Sequence, residues 1–553
     1  MTLHSQPAPT GSVTFPAEAP ARPVRVADSL AATLHAHGVR AAFTVPGGEV
    51  VTLLDALDRA GIAVHLARQE TAAAIMAAGH AALTGAPGLL VTTLGPGLAQ
   101  AVNGVADAAQ ERAPLLVISG VVDRATRARY THQVIDHAAL LRPLVKASFE
   151  VEAEGASATL ARALALALAA PMGPVHLDLA PGVAALPATD AAVPPVRELR
   201  PGLAADDPAV GEVAARLAAA ERPVILAGFE AARAGADVAR LAEALGAPVL
   251  TTYKAKGVIA EDHPLALGAA GLSPAADALL LPLLARADLV LALGYDPIEM
   301  RLGWLDPADP ARLIEVTAAP SDHGMHRAGL RLRADPAEAA AALASAAPRP
   351  RWPGGEPLAV RDALAARFAA PRAWGPHAIV AELNAAAGAD AIVTVDSGAH
   401  RILLSQIWRA ARPMTLLQSA GFCTMAAALP LAIGAAIARP GARVLAVMGD
   451  GGLEMAAGEL ATLRDLGHPV TVVVFQDESL ALIALKQAQA GLAPRATRLG
   501  RTDLAALARA FGGRGVTVED ADALRASLAE AADRPGFTLI ACRFNADDYR
   551  DAF

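Results

Sequence analysis

VLAVMGDGGLEMAAGELATLRDLGHPVTVVVFQDESLALIALK, residues 444–486, contains the clearest structural pattern in this chain. The apolar run Val444 to Met448 predicts a buried parallel strand that ends at a glycine-rich turn, and Val470 to Phe475 predicts a second one. A helix that Gly467 and Pro469 stop is expected between them. The stretch therefore predicts a β-α-β unit. Four apolar residues are expected on the buried face of that helix: Met455, Leu460, Leu463 and Leu466.

An aspartate follows each of the two strands. Asp450 and Asp477 should lie at the carboxyl ends of parallel strands, where open α/β sheets bind ligands. Two neighbouring carboxylates repel each other unless a cation lies between them, and Mg²⁺ takes oxygen ligands from carboxylates and substrate phosphates. Gly449, Gly451 and Gly452 would let the backbone approach a phosphate. We therefore expect a site for a metal-bridged diphosphate.

Two other phosphate-binding motifs do not fit this turn. A dinucleotide-binding fingerprint needs a third glycine where Glu454 stands, and a Walker A loop needs a Gly-Lys-Ser/Thr sequence that the stretch lacks. A tight strand-to-helix turn with a solvated Asp450 stays open from this stretch alone.

The spacing of the two aspartates resembles a known cofactor motif. Gly-Asp-Gly, followed by a polar pair that ends 27 positions after Asp450, resembles the thiamine diphosphate (ThDP) motif of the acetohydroxyacid synthase and pyruvate decarboxylase superfamily. The family usually has Asn-Asn where this chain has Gln476-Asp477, and Asp is also a good oxygen donor. The resemblance implies a ThDP- and Mg²⁺-dependent enzyme. It also implies that Asp450, Asp477 and the backbone carbonyl of Ser479 hold the metal.

Length and composition set broad limits. A chain of 553 residues is too long for a single hydrophobic core, and three domains of about 150 to 190 residues are expected. The chain is 54% hydrophobic and 18% charged, which is not typical of a disordered protein. The net charge of −8, with both signs interspersed, argues against a nucleic-acid partner. The sequence contains only two cysteines, and it shows neither a signal-peptide pattern nor an apolar stretch long enough to cross a membrane. We therefore expect a soluble, cytoplasmic protein without a disulfide framework.

Strand and helix patterns alternate along the chain, which predicts an α/β protein with three doubly wound parallel-sheet domains. The resemblance implies that they are pyrimidine-binding, middle Rossmann-like and diphosphate-binding domains. It also implies a homodimer or homotetramer with active sites at the subunit interface. The expected divisions are a flexible tail at 1–22, the first domain at 23–187, the middle domain at 196–346, a proline-rich linker at 347–369 and the third domain at 370–553.

In the first domain, the resemblance implies that Glu70 hydrogen-bonds N1′ of the aminopyrimidine. A protonated acid is needed there so that the cofactor's 4′-nitrogen can take the proton from C2, and partial burial would raise the pKa of Glu70. Judged alone, Glu70 would be an ordinary first-turn helix acid. The usual neighbouring His is Gln69 here. The resemblance further implies an active-site role for Gln133, a substrate contact by Gln100 and cofactor contacts by Pro46, Gly47, Gly95 and Asn103. Without the resemblance, the glycines would be interpreted as turn residues and Gln133 as a surface residue.

In the third domain, the resemblance implies a diphosphate-contacting loop at Ser397, Gly398 and His400, and a methionine, Met425, that props the cofactor into its bent conformation. The same resemblance adds Gly449, Gly451 and Gly452 to the cofactor contacts. The structural alternatives are a loop histidine without a ligand and an ordinary core methionine.

The substrate end departs from the best-known relatives. Leu482, Ile483 and Lys486 should face the substrate from the helix after Asp477. Pyruvate decarboxylases have a Glu where Ile483 stands, and acetohydroxyacid synthases have a Trp where Lys486 stands. Lys486 could bind an anionic group or could extend into solvent.

These features together predict an acetolactate synthase-like carboligase that decarboxylates a 2-oxo acid and joins the product to a second carbonyl. The alternative is a non-ligating decarboxylase for a larger or charged 2-oxo acid. FAD is not expected, because the first turn of the middle domain, at Gly228, lacks a glycine fingerprint. A non-catalytic relative would not need Glu70, Asp450 and Asp477.

Overall fold

The structure is a computed structural model that describes residues 23–196, 203, 204, 206–319, 323–344, 351–369, 373–532 and 534–553. These residues form three six-stranded sheets, each fully parallel and flanked by helices. The predicted fold class is confirmed. The predicted tail, residues 1–22, lies outside the described residues, and the domain boundaries stay predictions.

The first sheet has the strand order β2-β1-β3-β4-β6-β5. Its side chains alternate between two apolar layers, so that Leu89 and Val91 pack on one side and Leu90 on the other. The strands are β1 Ala41–Val45, β2 Ala63–Leu66, β3 Gly88–Thr92, β4 Leu115–Gly120, β5 Ser148–Glu150 and β6 Val175–Leu179. The helices are α1 Val26–Ala36, α2 Val51–Arg59, α3 Glu70–Thr84, α4 Pro96–Gln110, α5 Arg124–Arg127, α6 His137–Leu141, α7 Ala156–Leu168 and α8 Pro181–Ala185.

The second sheet has the order β12-β11-β10-β7-β8-β9. Its strands are β7 Pro223–Ala227, β8 Val249–Thr251, β9 Ala266–Ala269, β10 Leu289–Leu293, β11 Leu313–Thr317 and β12 Leu330–Arg333. Its helices are α9 Pro208–Ala219, α10 Gly235–Leu245, α11 Pro274–Arg286 and α12 Pro336–Leu343. The interval predicted as linker includes a helix, α13 Glu356–Arg367, whose Val360 and Leu364 pack against the apolar core.

The third sheet has the order β14-β13-β15-β16-β18-β17. Its strands are β13 Ile392–Val395, β14 Leu416–Gln418, β15 Val444–Gly449, β16 Val470–Gln476, β17 Arg514–Val518 and β18 Thr538–Arg543. Its helices are α14 Pro376–Ala387, α15 Ala399–Ile407, α16 Ala428–Ala438, α17 Asp450–Ala456, α18 Glu459–Leu466, α19 Ala481–Gln489, α20 Leu504–Ala510 and α21 Ala521–Ala532.

The β-α-β unit is confirmed, but its single predicted helix is two helices, α17 and α18. The helix divides at Ala457 and Gly458, although the backbone of both residues stays in the right-handed helical region. Leu460 and Leu463 are buried as predicted, whereas Met455 is 62% exposed, so its assignment to the buried face was wrong. Gly467 ends α18 in the left-handed conformation with φ 67°, as a C-terminal glycine should.

The first and third domains of one chain share an apolar core. Helices α3 and α16 cross so closely that a Cβ on Gly434 would lie 2.3 Å from the carbonyl oxygen of Met76. At the entrance to α3, the backbone N–H of Arg68 donates to Glu459 Oε1 at 2.9 Å. The domains are therefore held in one arrangement. Within the described residues, no helix is both long and apolar enough to cross a membrane.

Candidate active site

The strand order reverses between β13 and β15, which opens a crevice at the carboxyl ends of these strands. The loops 396–400 and 449–452 border that crevice because they follow the two strands. A cavity of about 120 Å³ lies there. Its walls include most of the residues predicted for the diphosphate and the metal: Ser397, Gly398, His400, Met425, Gly449, Asp450, Gly451, Gly452, Asp477 and Ser479.

The two predicted metal-binding aspartates meet in this cavity. The backbone N–H of Glu478 donates to Asp450 Oδ2 at 2.7 Å, which joins the ends of β15 and β16, and Ser479 N–H donates to Asp477 Oδ1 at 2.8 Å. Burial and the neighbouring Asp450 charge raise the pKa of Asp477 to about 8. Burial also raises the pKa of Asp450, although backbone donors oppose it. Buried Asp450 and partly buried Asp477, both with raised pKa values, form an oxygen-rich pair whose negative charge a divalent cation would compensate.

A buried aspartate that was not predicted as a site residue connects three loops. Asp396 is fully buried, its Oδ1 lies 2.9 Å from His400 Nε2, and its Oδ2 accepts from the Ala426 N–H at 2.8 Å. A Cβ on Gly452 would lie 2.1 Å from Asp396 Oδ2. Only glycine therefore lets the 449–452 turn pack against this carboxylate.

The contact with Asp396 orients His400 toward the predicted phosphate site. Its Cε1–Nδ1 edge faces Gly398 and Gly449, because a Cβ on Gly398 would lie 2.6 Å from Nδ1 and one on Gly449 3.6 Å from it. Since Nε2 is engaged by Asp396, Nδ1 is the ring nitrogen left for a ligand.

Met425 lies in a loop that the first domain holds in place. The flanking Cys423 and Ala426 have φ values of 59° and 66°, which are uncommon for residues with a Cβ. From α4, the Asp107 carboxylate accepts from the Thr424 hydroxyl at 2.5 Å. The Met425 side chain projects toward the glycine turn, and its Cε would lie 3.9 Å from a Cβ placed on Gly451.

A second crevice lies where the first sheet reverses its order, between β1 and β3. A Cβ on Gly47 would lie 2.2 Å from Thr93 Oγ1, and that hydroxyl donates to Glu49 Oε2 at 2.6 Å. A Cβ on Gly97 would lie 3.3 Å from Glu70 Oε1. Glu70 therefore begins α3 directly against this crevice. Its burial raises the pKa of the carboxyl.

Gly95 and Gln133 form one wall of this second crevice. Gly95 has φ 53°, and a Cβ there would lie 2.2 Å from the carbonyl oxygen of Gln133, itself at φ 60°. The Gly95 N–H donates to His137 Nε2 at 3.1 Å, and His137 Nδ1 lies 2.7 Å from Asp178 Oδ1. Burial opposes ionisation of Asp178, but hydrogen bonds from His137 and His176 outweigh it and lower its pKa to about 2. His137, the first residue of α6, thus supports the wall; it was missed in the sequence because a single histidine 42 positions after Gly95 belongs to no motif.

The remaining first-domain candidates lie on its surface. Pro46 is exposed beside the crevice, and Gln100 and Asn103 are exposed on α4. Next to Asn103, Gly104 allows α3 and α4 to cross closely, since a Cβ there would lie 2.6 Å from the Thr71 carbonyl oxygen. The two amides are therefore available to a ligand or a partner surface.

The predicted substrate residues divide into two groups. Leu482 and Ile483 line the third-domain cavity from α19, and Ile483 is 43% exposed. Lys486 is exposed one turn further on and does not contribute to the cavity wall.

The two crevices are separate within one chain. Among the described residues, the lining of the third-domain cavity comes from the third domain alone, and Glu70 is not part of it. Each crevice therefore presents one half of the predicted constellation.

The middle sheet has its own reversal point, between β7 and β10, and the chain itself fills it. A Cβ on Gly228 would lie 2.4 Å from the carbonyl oxygen of Gly294. Glu230 Oε2 accepts from the Ala318 N–H at 3.1 Å in the same crevice. A dinucleotide would meet a carboxylate there instead of a glycine-rich cradle.

Comparison with known families identifies three matches in chain order. Residues 24–140 match the thiamine pyrophosphate enzyme N-terminal TPP binding domain, residues 210–343 the central domain and residues 396–542 the C-terminal TPP binding domain. An acetolactate synthase of Bacillus subtilis (strain 168) is 32% identical over 91% of this chain and 90% of its own length. An acetolactate synthase isozyme 1 large subunit of Escherichia coli (strain K12) is 30% identical, with 93% of each chain covered. A probable 2-ketoarginine decarboxylase, AruI, of Pseudomonas aeruginosa is also 30% identical, with 95% of each covered.

Proposed function

Since this chain belongs to the acetolactate synthase-like family of thiamine pyrophosphate enzymes, we propose that it is a Mg²⁺-dependent carboligase of 2-oxo acids. It would remove CO₂ from one 2-oxo acid and join the resulting carbon nucleophile to the carbonyl group of a second compound. Bound ThDP would supply the carbon nucleophile and the electron sink for loss of CO₂. The observation that supports this most is the pair of aspartates, one buried and one partly buried, at the reversal point of the third sheet.

The residues present fit a metal-bound diphosphate. Asp450, Asp477 and the Ser479 carbonyl would hold Mg²⁺, whose charge would favour the ionised form of both acids. The glycine turn at 449–452 would approach the diphosphate closely, and His400 would donate to a phosphate oxygen from its Nδ1 edge. Met425 would support the bent cofactor.

The first-domain crevice fits the aminopyrimidine. Glu70 would hold a proton at N1′, and its burial favours the protonated form that this role needs. Gly47, Gly95 and Gly97 bring the backbone close enough to form the walls of a flat ring site. Gln133 and Gln100 would contact the substrate or the cofactor from the rim, and Asn103 would lie near the pyrimidine.

A homodimer would bring the two halves together, because one chain holds them in separate crevices. Large apolar side chains are exposed beside both halves, which is typical of a surface that a second subunit covers. They are Val51 at 56%, Leu66 at 51%, Phe422 at 42%, Met455 at 62% and Ile483 at 43% exposure. A tetramer made of two such dimers is compatible with the same argument. We place the protein in the cytoplasm.

The main alternative is a decarboxylase that releases an aldehyde from a larger or charged 2-oxo acid. The similarity to the probable 2-ketoarginine decarboxylase supports this alternative. Apolar Ile483 at the cavity argues for the carboligase, because simple decarboxylation ends in a proton transfer that an alkyl side chain cannot perform.

Product analysis tests the proposal. The purified protein with ThDP and Mg²⁺ is offered pyruvate, and then a panel of larger 2-oxo acids. Acetolactate from pyruvate, lost when EDTA removes the metal, is the expected result. Free aldehyde from a larger acid, with pyruvate unchanged, would replace the carboligase with the decarboxylase. We also propose that no flavin is required, and a flavin absorbance band in the active protein would contradict that.

A further inference from the structure

A tyrosine at the far carboxyl end of the chain reaches the third-domain cavity. Tyr549 ends a short 3-10 turn, Ala546–Tyr549, that follows β18. The side chains of Asn545 and Asp548 cap this turn reciprocally, with the Asp547 N–H donating to Asn545 Oδ1 at 3.0 Å. The turn is thus a defined structure, and it places the tyrosine in the wall that contains Asp450, Asp477 and Ser479.

The Tyr549 ring is fixed by its neighbours. The residue is 1% exposed, and its ring packs edge-on against Phe544, with centroids 5.4 Å apart and planes at 76°. The Phe553 ring centroid lies 6.4 Å from that of Tyr549. Phe544 in turn packs edge-on against Phe475, which lies near the end of β16, two residues before Asp477. An aromatic cluster therefore connects the chain terminus to the metal-binding strand end.

The Tyr549 hydroxyl is buried and has no hydrogen-bond partner among the residues that the structure describes. Tyrosine hydroxyls usually find a partner when they are buried. A buried donor without a partner costs stability. The ring is held by packing, and Tyr549 lines the cavity that contains Asp450 and Asp477. The partner that this hydroxyl lacks is therefore expected from an oxygen of the group that fills the cavity.

We propose that Tyr549 is a positioning residue for the cofactor, and that its hydroxyl donates a hydrogen bond to an oxygen of the metal-bound diphosphate. The C-terminal turn would thereby become part of the active site. This inference rests on the proposed ThDP function, and it adds a residue on an element that follows the last strand of the fold.

The test compares two tyrosine-to-phenylalanine variants. Tyr549→Phe removes only the hydroxyl. Tyr295→Phe is a matched control, because Tyr295 is 4% exposed in the middle domain and its hydroxyl also lacks a hydrogen-bond partner among the described residues. The dissociation constant of ThDP is measured by calorimetry at saturating Mg²⁺, and the melting temperature of the cofactor-free protein is measured for each variant.

Tyr549→Phe should weaken ThDP binding at least about tenfold, the effect of one hydrogen bond to a charged group, and Tyr295→Phe should leave it unchanged. The cofactor-free melting temperature of Tyr549→Phe should equal or exceed that of the wild type, since no internal hydrogen bond is lost. A ThDP affinity within twofold of wild type would overturn the proposal. A lower cofactor-free melting temperature would also overturn it, because the hydroxyl would then have a partner inside the protein. If wild-type protein itself bound no ThDP, the proposed function would fail instead.

Discussion

Gly452→Ala should damage the third-domain site through a single added methyl group. The new Cβ would lie 2.1 Å from Asp396 Oδ2, whereas real Cβ atoms essentially never approach another atom within 3.0 Å. The carboxylate must therefore retreat by about 1 Å, which is enough to break a hydrogen bond of ordinary length. Asp396 is fully buried and has no solvent to retreat into.

The expected loss follows from the contacts of Asp396. It accepts from the Ala426 N–H at 2.8 Å and lies 2.9 Å from His400 Nε2. Hydrogen bonds to a charged group contribute about 1.5 to 3 kcal/mol each, and replacing glycine by alanine in a helix returns about 1 kcal/mol. The net destabilisation should be about 2 to 5 kcal/mol. Binding of ThDP should weaken as well, because the loops that carry His400 and Met425 depend on the same carboxylate.

Gly211→Ala is the matched control. Gly211 lies in the first turn of α9, as Gly452 does in α17, and nothing lies within 4 Å of its added Cβ. This variant should therefore gain slightly in stability. Urea denaturation and ThDP titration of both variants measure the difference. If Gly452→Ala were as stable as Gly211→Ala and bound ThDP like wild type, the proposed role of the Asp396 junction would be refuted.

Three further substitutions test individual residues. Glu70→Gln should reduce turnover by at least about a hundredfold, since the amide cannot exchange a proton at N1′; because the pKa of Glu70 is raised, wild-type turnover should fall as pH rises past it, and a pH-independent rate would contradict this role. Asp477→Asn, which introduces the family's usual residue, should retain Mg²⁺-dependent ThDP binding in calorimetry, because the amide oxygen can replace the carboxylate oxygen; lost binding would contradict this metal-ligand assignment. The pKa of Asp477 in metal-free protein is raised to about 8, so the free energy of unfolding falls as pH rises from about 4 to 8. The Asn variant without metal should therefore melt at a higher temperature than wild type at pH 8. A lower melting temperature would show that ionised Asp477 does not destabilise the metal-free protein. Lys486→Gln should change KM for an anionic acceptor several-fold and leave ThDP affinity unchanged; identical KM values for a panel of acceptors would assign Lys486 to the solvent-exposed surface.

The geometry of the third-domain site could be predicted from sequence because it follows from strand ends. A buried apolar strand can be recognised by composition, and two such strands joined by a helix must be parallel neighbours. That argument alone brought Asp450 and Asp477 together. It also predicted the turn at Gly449, where β15 ends. The role of Glu70 needed the resemblance to a family, since an acid in a first helical turn has an ordinary local explanation.

Other parts of the site depend on tertiary packing that no local pattern shows. Asp396 connects three loops that are distant in the chain, and Tyr549 enters the cavity from beyond the last strand. By contrast, the error at Met455 was local: it lies five positions before Leu460, about 140° around a helix of 3.6 residues per turn, and its side chain is exposed. The short strands β5 and β14 contain three residues each, too few for a recognisable run.

Subunit complementation tests the central claim that each active site takes Glu70 from one chain and the metal pair from another. Glu70→Gln and Asp450→Ala chains, each expected to be inactive as a homodimer, are unfolded, mixed in equal amounts and refolded. Random pairing gives heterodimers in half of the assemblies, each with one intact site, so about a quarter of wild-type activity should return. No recovery of activity, with heterodimers demonstrated by mass spectrometry, would contradict the shared site.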